Sequence, residues 1–201
     1  MAVAFVVAIF TVPGASGQKC TDGDKTLSFL RGVKSINIEY TYDSMFVGKK
    51  HEADYVSEKV AAYNKKQSGK GDRWAEKWVS NRASIYEPMF EELINKVLFK
   101  EKTGMTAGKD KSDAKYTLVV HTDMTEPGFN AVVMKVDPSC NFDFYWIEKE
   151  SGKVMAKGYL DKVPGHVVFD SDYDFDPSNR IKECYAKVGK EVGKYIAKMR
   201  K

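Results

Sequence analysis

The stretch "AKYTLVVHTDM", residues 114–124, decides the fold. Leu118, Val119 and Val120 are consecutive, so an extended chain would be apolar on both faces at that point. A half-exposed strand alternates polar and apolar residues, whereas a strand flanked and covered reads as a short continuous apolar run. The stretch therefore predicts a central strand, and the sequence on either side supplies its neighbours.

Downstream, "EPGF" (126–129) puts Pro127 and Gly128 at the two middle positions that a type II turn favours. "AVVMKV" (131–136) is expected to be the returning strand. "FDFYWIEKESGKVMAKGYL" (142–160) reads as a hairpin, with Phe142, Phe144 and Trp146 sharing one face and Glu150-Ser151-Gly152 turning the chain. Upstream, "VKSINIEYTY" (33–42) alternates, with Ile36, Ile38, Tyr40 and Tyr42 on one side.

Helical spacing takes over between these strands. In "EADYVSEKVAAYN" (52–64), Ala53, Val56, Val60 and Tyr63 recur at three- and four-residue intervals. A polar break, "KKQSGKGD" (65–72), precedes a long helical pattern through Trp74, Trp78, Ile85, Met89, Leu93 and Val97. Pro88 lies inside it and removes a backbone donor, which predicts a kink or two abutting helices. A last helix carries Ile181, Cys184, Val188, Val192, Tyr195 and Met199 inward and Lys187, Lys190, Lys194 and Lys198 outward. Asp176 is its expected N-cap and Pro177 suits its first turn. Gly189 and Gly193 cost helix stability, and their placement predicts a close approach by a neighbouring element. The order β–α–α–β–β–β–β–α predicts an α+β sandwich, a mixed sheet of about five strands with its helices packed on one face.

The amino terminus reads differently. Residues 2–12 are nearly all apolar, too few to cross a hydrocarbon core, which takes roughly 20. Pro13-Gly14 then breaks the run, and Ala15-Ser16-Gly17 supplies the small residues of a signal-peptidase site. Residues 1–17 are expected to be a signal peptide and 18–201 a single domain, exported to the periplasm or the cell exterior. Lys19 directly before Cys20 does not suit lipid attachment at that cysteine.

Composition bounds the rest. The chain is 43% hydrophobic and 30% charged, enough to bury a core. Thirty-two basic and 28 acidic residues give a net charge of only +4, too even for the concentrated basic face of a nucleic-acid binder. No second apolar stretch approaches a membrane span. Export permits a disulfide, and three cysteines leave one thiol over. Cys20–Cys184 is the preferred pair, stapling the mature N-terminus to the last helix. Cys20–Cys140, Cys140–Cys184 and no bridge stay open, and Cys184 also suits a small core position.

Chemistry-bearing motifs are few. In "DSDYDFDPSNRIKE", Asp172, Asp174, Asp176 and Glu183 take positions 1, 3, 5 and 12 of a calcium loop, but Pro177 stands where that loop turns on glycine. Capping of the following helix explains the same aspartates, so calcium is the only cofactor the chain suggests and a weak fit. "SGKGD" (68–72) lacks the spacing of a phosphate loop. His51, His121 and His166 are scattered without ligand spacing. No catalytic residue is nominated. Phe129, an aromatic beside the Pro-Gly turn, is the one residue expected to face a partner.

With "GVKSINIEY", "KWVSNRASIYEPMFEELINK", "DAKYTLVVHTDMTEPGFN" and "YDFDPSNRIKECYAKVGK" in view, the chain resembles a group of uncharacterised exported proteins of Bacteroidota. In layout it is also similar to the small α/β domains of bacterial envelope lipoproteins, though without their lipid-bearing cysteine. Neither resemblance implies an activity. The expectation is a non-catalytic domain of the cell envelope that binds or scaffolds another macromolecule, with a small-ligand or calcium carrier second and a secreted hydrolase third.

Overall fold

The structure is a computed structural model that describes residues 19–131, 134–165 and 177–199. Strand β1 (Lys19–Gly23) leads through a 3-10 turn (Ser28–Leu30) to β2 (Ser35–Thr41). A tight hairpin, β3 (Phe46–Val47) and β4 (Lys50–His51), runs directly into α1 (Glu52–Lys66), followed by α2 (Lys70–Asn81) and α3 (Glu87–Lys100). The second half contains β5 (Thr106–Gly108), β6 (Tyr116–Glu126), β7 (Phe129–Ala131), β8 (Met134–Val136), β9 (Ser139–Glu148), β10 (Val154–Pro164) and α4 (Ser178–Met199).

The expected central strand is central. An open mixed sheet runs β1-β10-β9-β6-β2-β5, with β6 antiparallel to β9 on one side and parallel to β2 on the other. The short β3 continues the β2 edge alongside β6, pairing Phe46 with Met124 and Val47 with Thr125. The sheet therefore has eight strands where about five were expected. The extra ones, β1, β3, β4 and β5, span two to five residues, too short for alternation to register.

The α+β architecture follows from one buried sheet face. Cys140, Phe142, Phe144 and Trp146 on β9 join Ile36 and Ile38, Leu118 and Val120, and Ala156 and Leu160 in a single core. Phe90, Ile94 and Leu98 of α3 and Ile181, Tyr185, Val188, Val192 and Ile196 of α4 complete it. On the opposite side, Asn37, His121, Asp143 and Tyr145 are half-buried and Glu39 and Asp123 are exposed. His121 belongs to this polar side, where its Nδ1 lies 2.9 Å from Thr41 Oγ1.

Pro88 marks two abutting helices. Its missing N–H cannot reach the Ser84 carbonyl, and a π-helical stretch at Arg82–Tyr86 takes up the irregularity before α3 begins. Two local expectations are corrected. Among the described residues, 131 and 134–136 do not return along the main sheet: β7 and β8 pair with each other in a separate ribbon, Phe129 opposite Val136. In α1 no residue is fully buried, and Ala53 faces out while Tyr55 joins Val56, Val60 and Tyr63 on the inner stripe. That stripe meets α2 through rings: Tyr55 lies 5.6 Å from Trp78, Tyr63 lies 5.7 Å from Trp74, and the two tryptophans stack at 5.5 Å. Aromatic faces hold the pair together where aliphatic burial is scarce. Gly71 permits the crossing, since a Cβ there would stand 2.3 Å from the Val60 carbonyl oxygen.

Candidate functional site

A cleft of about 580 Å³ opens where three short segments converge at one end of the sheet. The β3–β4 hairpin forms one wall. Its two-residue connection is Gly48-Lys49, with Gly48 at φ +61° donating its N–H to the Thr125 carbonyl at 2.9 Å. The second wall is the face of α1 carrying Tyr55, Glu58, Lys59 and Ala62 at helical spacing. The turn after β6, Glu126 to Phe129, closes the third side. Gly128 has φ +71°, as a type II turn requires, and its N–H donates to Glu126 Oε1 at 2.9 Å.

Phe129, expected from sequence to face a partner, lies at this cleft with 42% of its surface exposed. Around it stand both signs of charge. Lys50 and Glu58 form an ion pair across the junction of hairpin and helix. Lys59 Nζ sits 5.5 Å over the Tyr55 ring and 6.0 Å over the Tyr63 ring, a cation held on aromatic faces. Burial, reinforced by Tyr63 and by the Glu126 carboxylate, pushes the Tyr55 hydroxyl up to about 12, so it stays a neutral donor at any physiological pH. The cleft thus offers two aromatic rings, ammonium groups and carboxylates, a mixture suited to gripping a surface.

A second recess of about 330 Å³ lies beside β2, lined by Asn37, Glu39, Thr41, Glu87, Lys109 and Asp110 among others. Its carboxylate is already engaged: Glu87 accepts from Lys109 Nζ at 2.8 Å and from the Tyr42 hydroxyl at 3.1 Å. Neighbouring Glu91 is raised above the usual carboxylate range by burial, and its Oε1 is buried without a hydrogen-bond partner. This network ties α3 to β2 and to the segment after β5.

Of the proposed calcium set, only Glu183 falls among the described residues, on α4. Asp172, Asp174 and Asp176 lie outside them, as do the expected signal peptide through Gly17 and the expected N-cap. Cys184 is a free, fully buried thiol; the side chain of Cys20, its expected partner, is outside the described residues. Among the described residues, no group of three or more metal-type side chains converges, and no helix is long and apolar enough to cross a membrane.

Sequence reasoning nominates Phe129 and misses the cleft around it. The β3–β4 hairpin is the reason: "FVGKKH" carries a Gly-Lys turn signal, but its strands are two residues each. Phe99, 86% exposed near the end of α3, was also passed over. It falls off the stripe made by Phe90, Ile94, Val97 and Leu98, the one signal that could have found it.

No family model matches the chain, and no curated protein matches it. Among solved structures it is similar to a PelC dodecamer from Paraburkholderia phytofirmans, at 12% identity and a TM-score of 0.42, over 87% of this chain and 96% of that one. It is also similar to a Xanthomonas campestris protein of the family model DUF330, at 10% identity and a TM-score of 0.38, over 83% of this chain and 85% of that one.

Proposed function

We propose that this chain is an exported, non-catalytic binding protein of the cell envelope, and that the cleft holding Phe129 is where it grips another protein. The observation that carries the reading is the convergence of an exposed aromatic with Tyr55 and three lysines on separate elements. Aromatic residues within reach of solvent supply contact area at low entropic cost, and charges at the rim set orientation. The apolar leader at residues 2–12 supports the exported compartment.

Site-specific photo-crosslinking tests both parts. A photoreactive phenylalanine at position 129 is expected to give a discrete protein adduct in the producing cell's envelope fraction. The same group at Val154, 41% exposed at the opposite end of the sheet, is expected to give none. Lys49→Glu with Lys59→Glu should abolish the adduct while leaving the circular dichroism spectrum unchanged. Equal labelling from both positions, or none from 129, counts against the cleft. An intact mass that begins at Met1 rather than Gln18 counts against export.

A further inference from the structure

Cys140 and Cys184 belong to one buried core, although 43 residues of chain (141–183) separate them. Cys140 stands on β9 opposite Thr125 of β6, and its thiol donates to Thr125 Oγ1 at 3.7 Å. Cys184 lies in the early turns of α4, with its thiol directed at the Arg180 carbonyl, 3.9 Å away. Both residues are completely buried, and α4 packs across β9 at this point. Next to Cys184, the Tyr185 ring meets the Phe142 ring of β9 edge-on at 5.0 Å and its hydroxyl lies 2.7 Å from Thr122 Oγ1, which seats this turn of α4 on the strand pair that carries Cys140. The Cys140 side chain and burial hold the Cys184 thiol far above its ordinary titration range.

We propose that Cys140 and Cys184 form a disulfide when the protein folds in an oxidising compartment, bolting the last helix to the sheet and leaving Cys20 as the spare thiol. The compartment rests on the exported reading above; the pairing rests on the packing of β9 and α4.

The chemistry is thiol–disulfide exchange with a disulfide-bearing oxidant, such as an oxidised dithiol oxidoreductase or glutathione disulfide. The thiolate of one cysteine attacks a sulfur of the oxidant, whose S–S bond breaks and whose other sulfur leaves as a thiolate. The second cysteine thiolate then displaces the remaining oxidant sulfur. One protein S–S bond forms, two thiol protons pass to water, and two electrons end on the oxidant. Burial dictates the timing. In the folded protein both sulfurs are shielded from solvent, so exchange belongs to the stage before α4 docks. Once closed, the bridge is shielded from reductant by the same packing.

The test uses the full chain, denatured and reduced, then refolded in a glutathione redox buffer and trapped with iodoacetamide. The expected product is lighter than the three-thiol form by about 2 Da before alkylation, the mass of the two hydrogens lost on forming the bond. A non-reducing digest should link the peptides containing Cys140 and Cys184 and show Cys20 alkylated. Cys140→Ser and Cys184→Ser should each abolish the link, and the bridged protein should unfold at higher urea than the double serine variant. Folded reduced protein given the same oxidant should keep the Cys140 and Cys184 thiols. Three alkylated cysteines after refolding, or a bridge that includes Cys20, overturns the proposal. A Cys140–Cys184 bridge that forms on refolding but is absent from protein isolated from cells upholds the pairing and removes the oxidising compartment, so the two readings fail separately.

Discussion

Gly189 of α4 stands against the backbone of Phe90 in α3: a Cβ at Gly189 would lie 2.5 Å from the Phe90 carbonyl oxygen. One turn on, a Cβ at Gly193 would come within 3.1 Å of the Ile94 carbonyl oxygen and 3.0 Å of Val97 Cβ. The two glycines let the core helices touch backbone to backbone over the buried sheet face. In an isolated helix, Gly189→Ala would gain about 1 kcal/mol from propensity. Here the methyl group has no space, and overpacking costs of ~1–3 kcal/mol are typical. The expected net result is a lower urea midpoint with an unchanged denaturant slope; a midpoint that rises would show that α3 gives way freely.

Glu52 is the second joint. It accepts from Trp78 Nε1 at 2.5 Å and pairs with Arg82, whose guanidinium lies 4.3 Å over the Tyr42 ring. This one carboxylate ties the start of α1 to α2, to the π turn and, through Arg82, to the segment after β2. Both members of the pair are largely shielded from water, so Glu52→Ala is expected to cost about 2–3 kcal/mol, near the lower end for breaking a shielded pair. Tryptophan emission should shift to the red before global unfolding in a urea titration. A single unshifted transition would count against the joint.

Asp24 organises the turn after β1. Its carboxylate accepts from Ser28 and Thr26 through both side chains and backbone N–H groups. Those bonds, the Ser28 hydroxyl first, hold its titration down to about 2 against an ordinary 3.8. A carboxylate depressed in the folded state adds stability that is complete above 3.8 and lost as pH falls toward 2. Asp24 is only half-buried, so water screens much of the effect. Asp24→Asn is expected to lower stability slightly at pH 6 and to converge with the parent near pH 2, as followed by urea unfolding. A constant difference across that range would assign the loss to packing.

Glu91 has the opposite sign. Burial raises its carboxyl group, so ionising it at neutral pH costs the folded state, and the cost is relieved as pH falls through the raised value. Glu91→Gln retains an acceptor for the Lys109 N–H, now 3.4 Å from Glu91 Oε2, and removes the buried charge. The variant should match or exceed the parent in thermal midpoint at pH 7, with the advantage fading under acid conditions. Lower stability at pH 7 would mean that the Glu91 charge is needed by Lys109.

How much of this was legible depends on element length. "TLVV" announced a central strand because three apolar residues in succession leave no exposed side. The alternation of Phe142, Phe144 and Trp146 announced a covered face, and Gly189 and Gly193 announced a close neighbour without naming α3. The hairpin of "FVGKKH" stayed silent because two residues per strand carry no period. Phe129 was nominated by its turn; the lysines and Tyr55 around it come from residues 49–59, and no local pattern joins segments that far apart.

By itself, then, the sequence determined what local physics can encode: where the chain extends or coils, which stripe is apolar, where Pro88 breaks a helix and where Gly128 turns. Tertiary structure alone decided the partners across the fold: β6 between β2 and β9, Gly189 on Phe90, Tyr185 against Phe142, and the hairpin, helix and turn around Phe129. Backbone hydrogen bonding and side-chain periodicity act over a few residues, whereas core packing joins whichever faces fit, regardless of their separation along the chain.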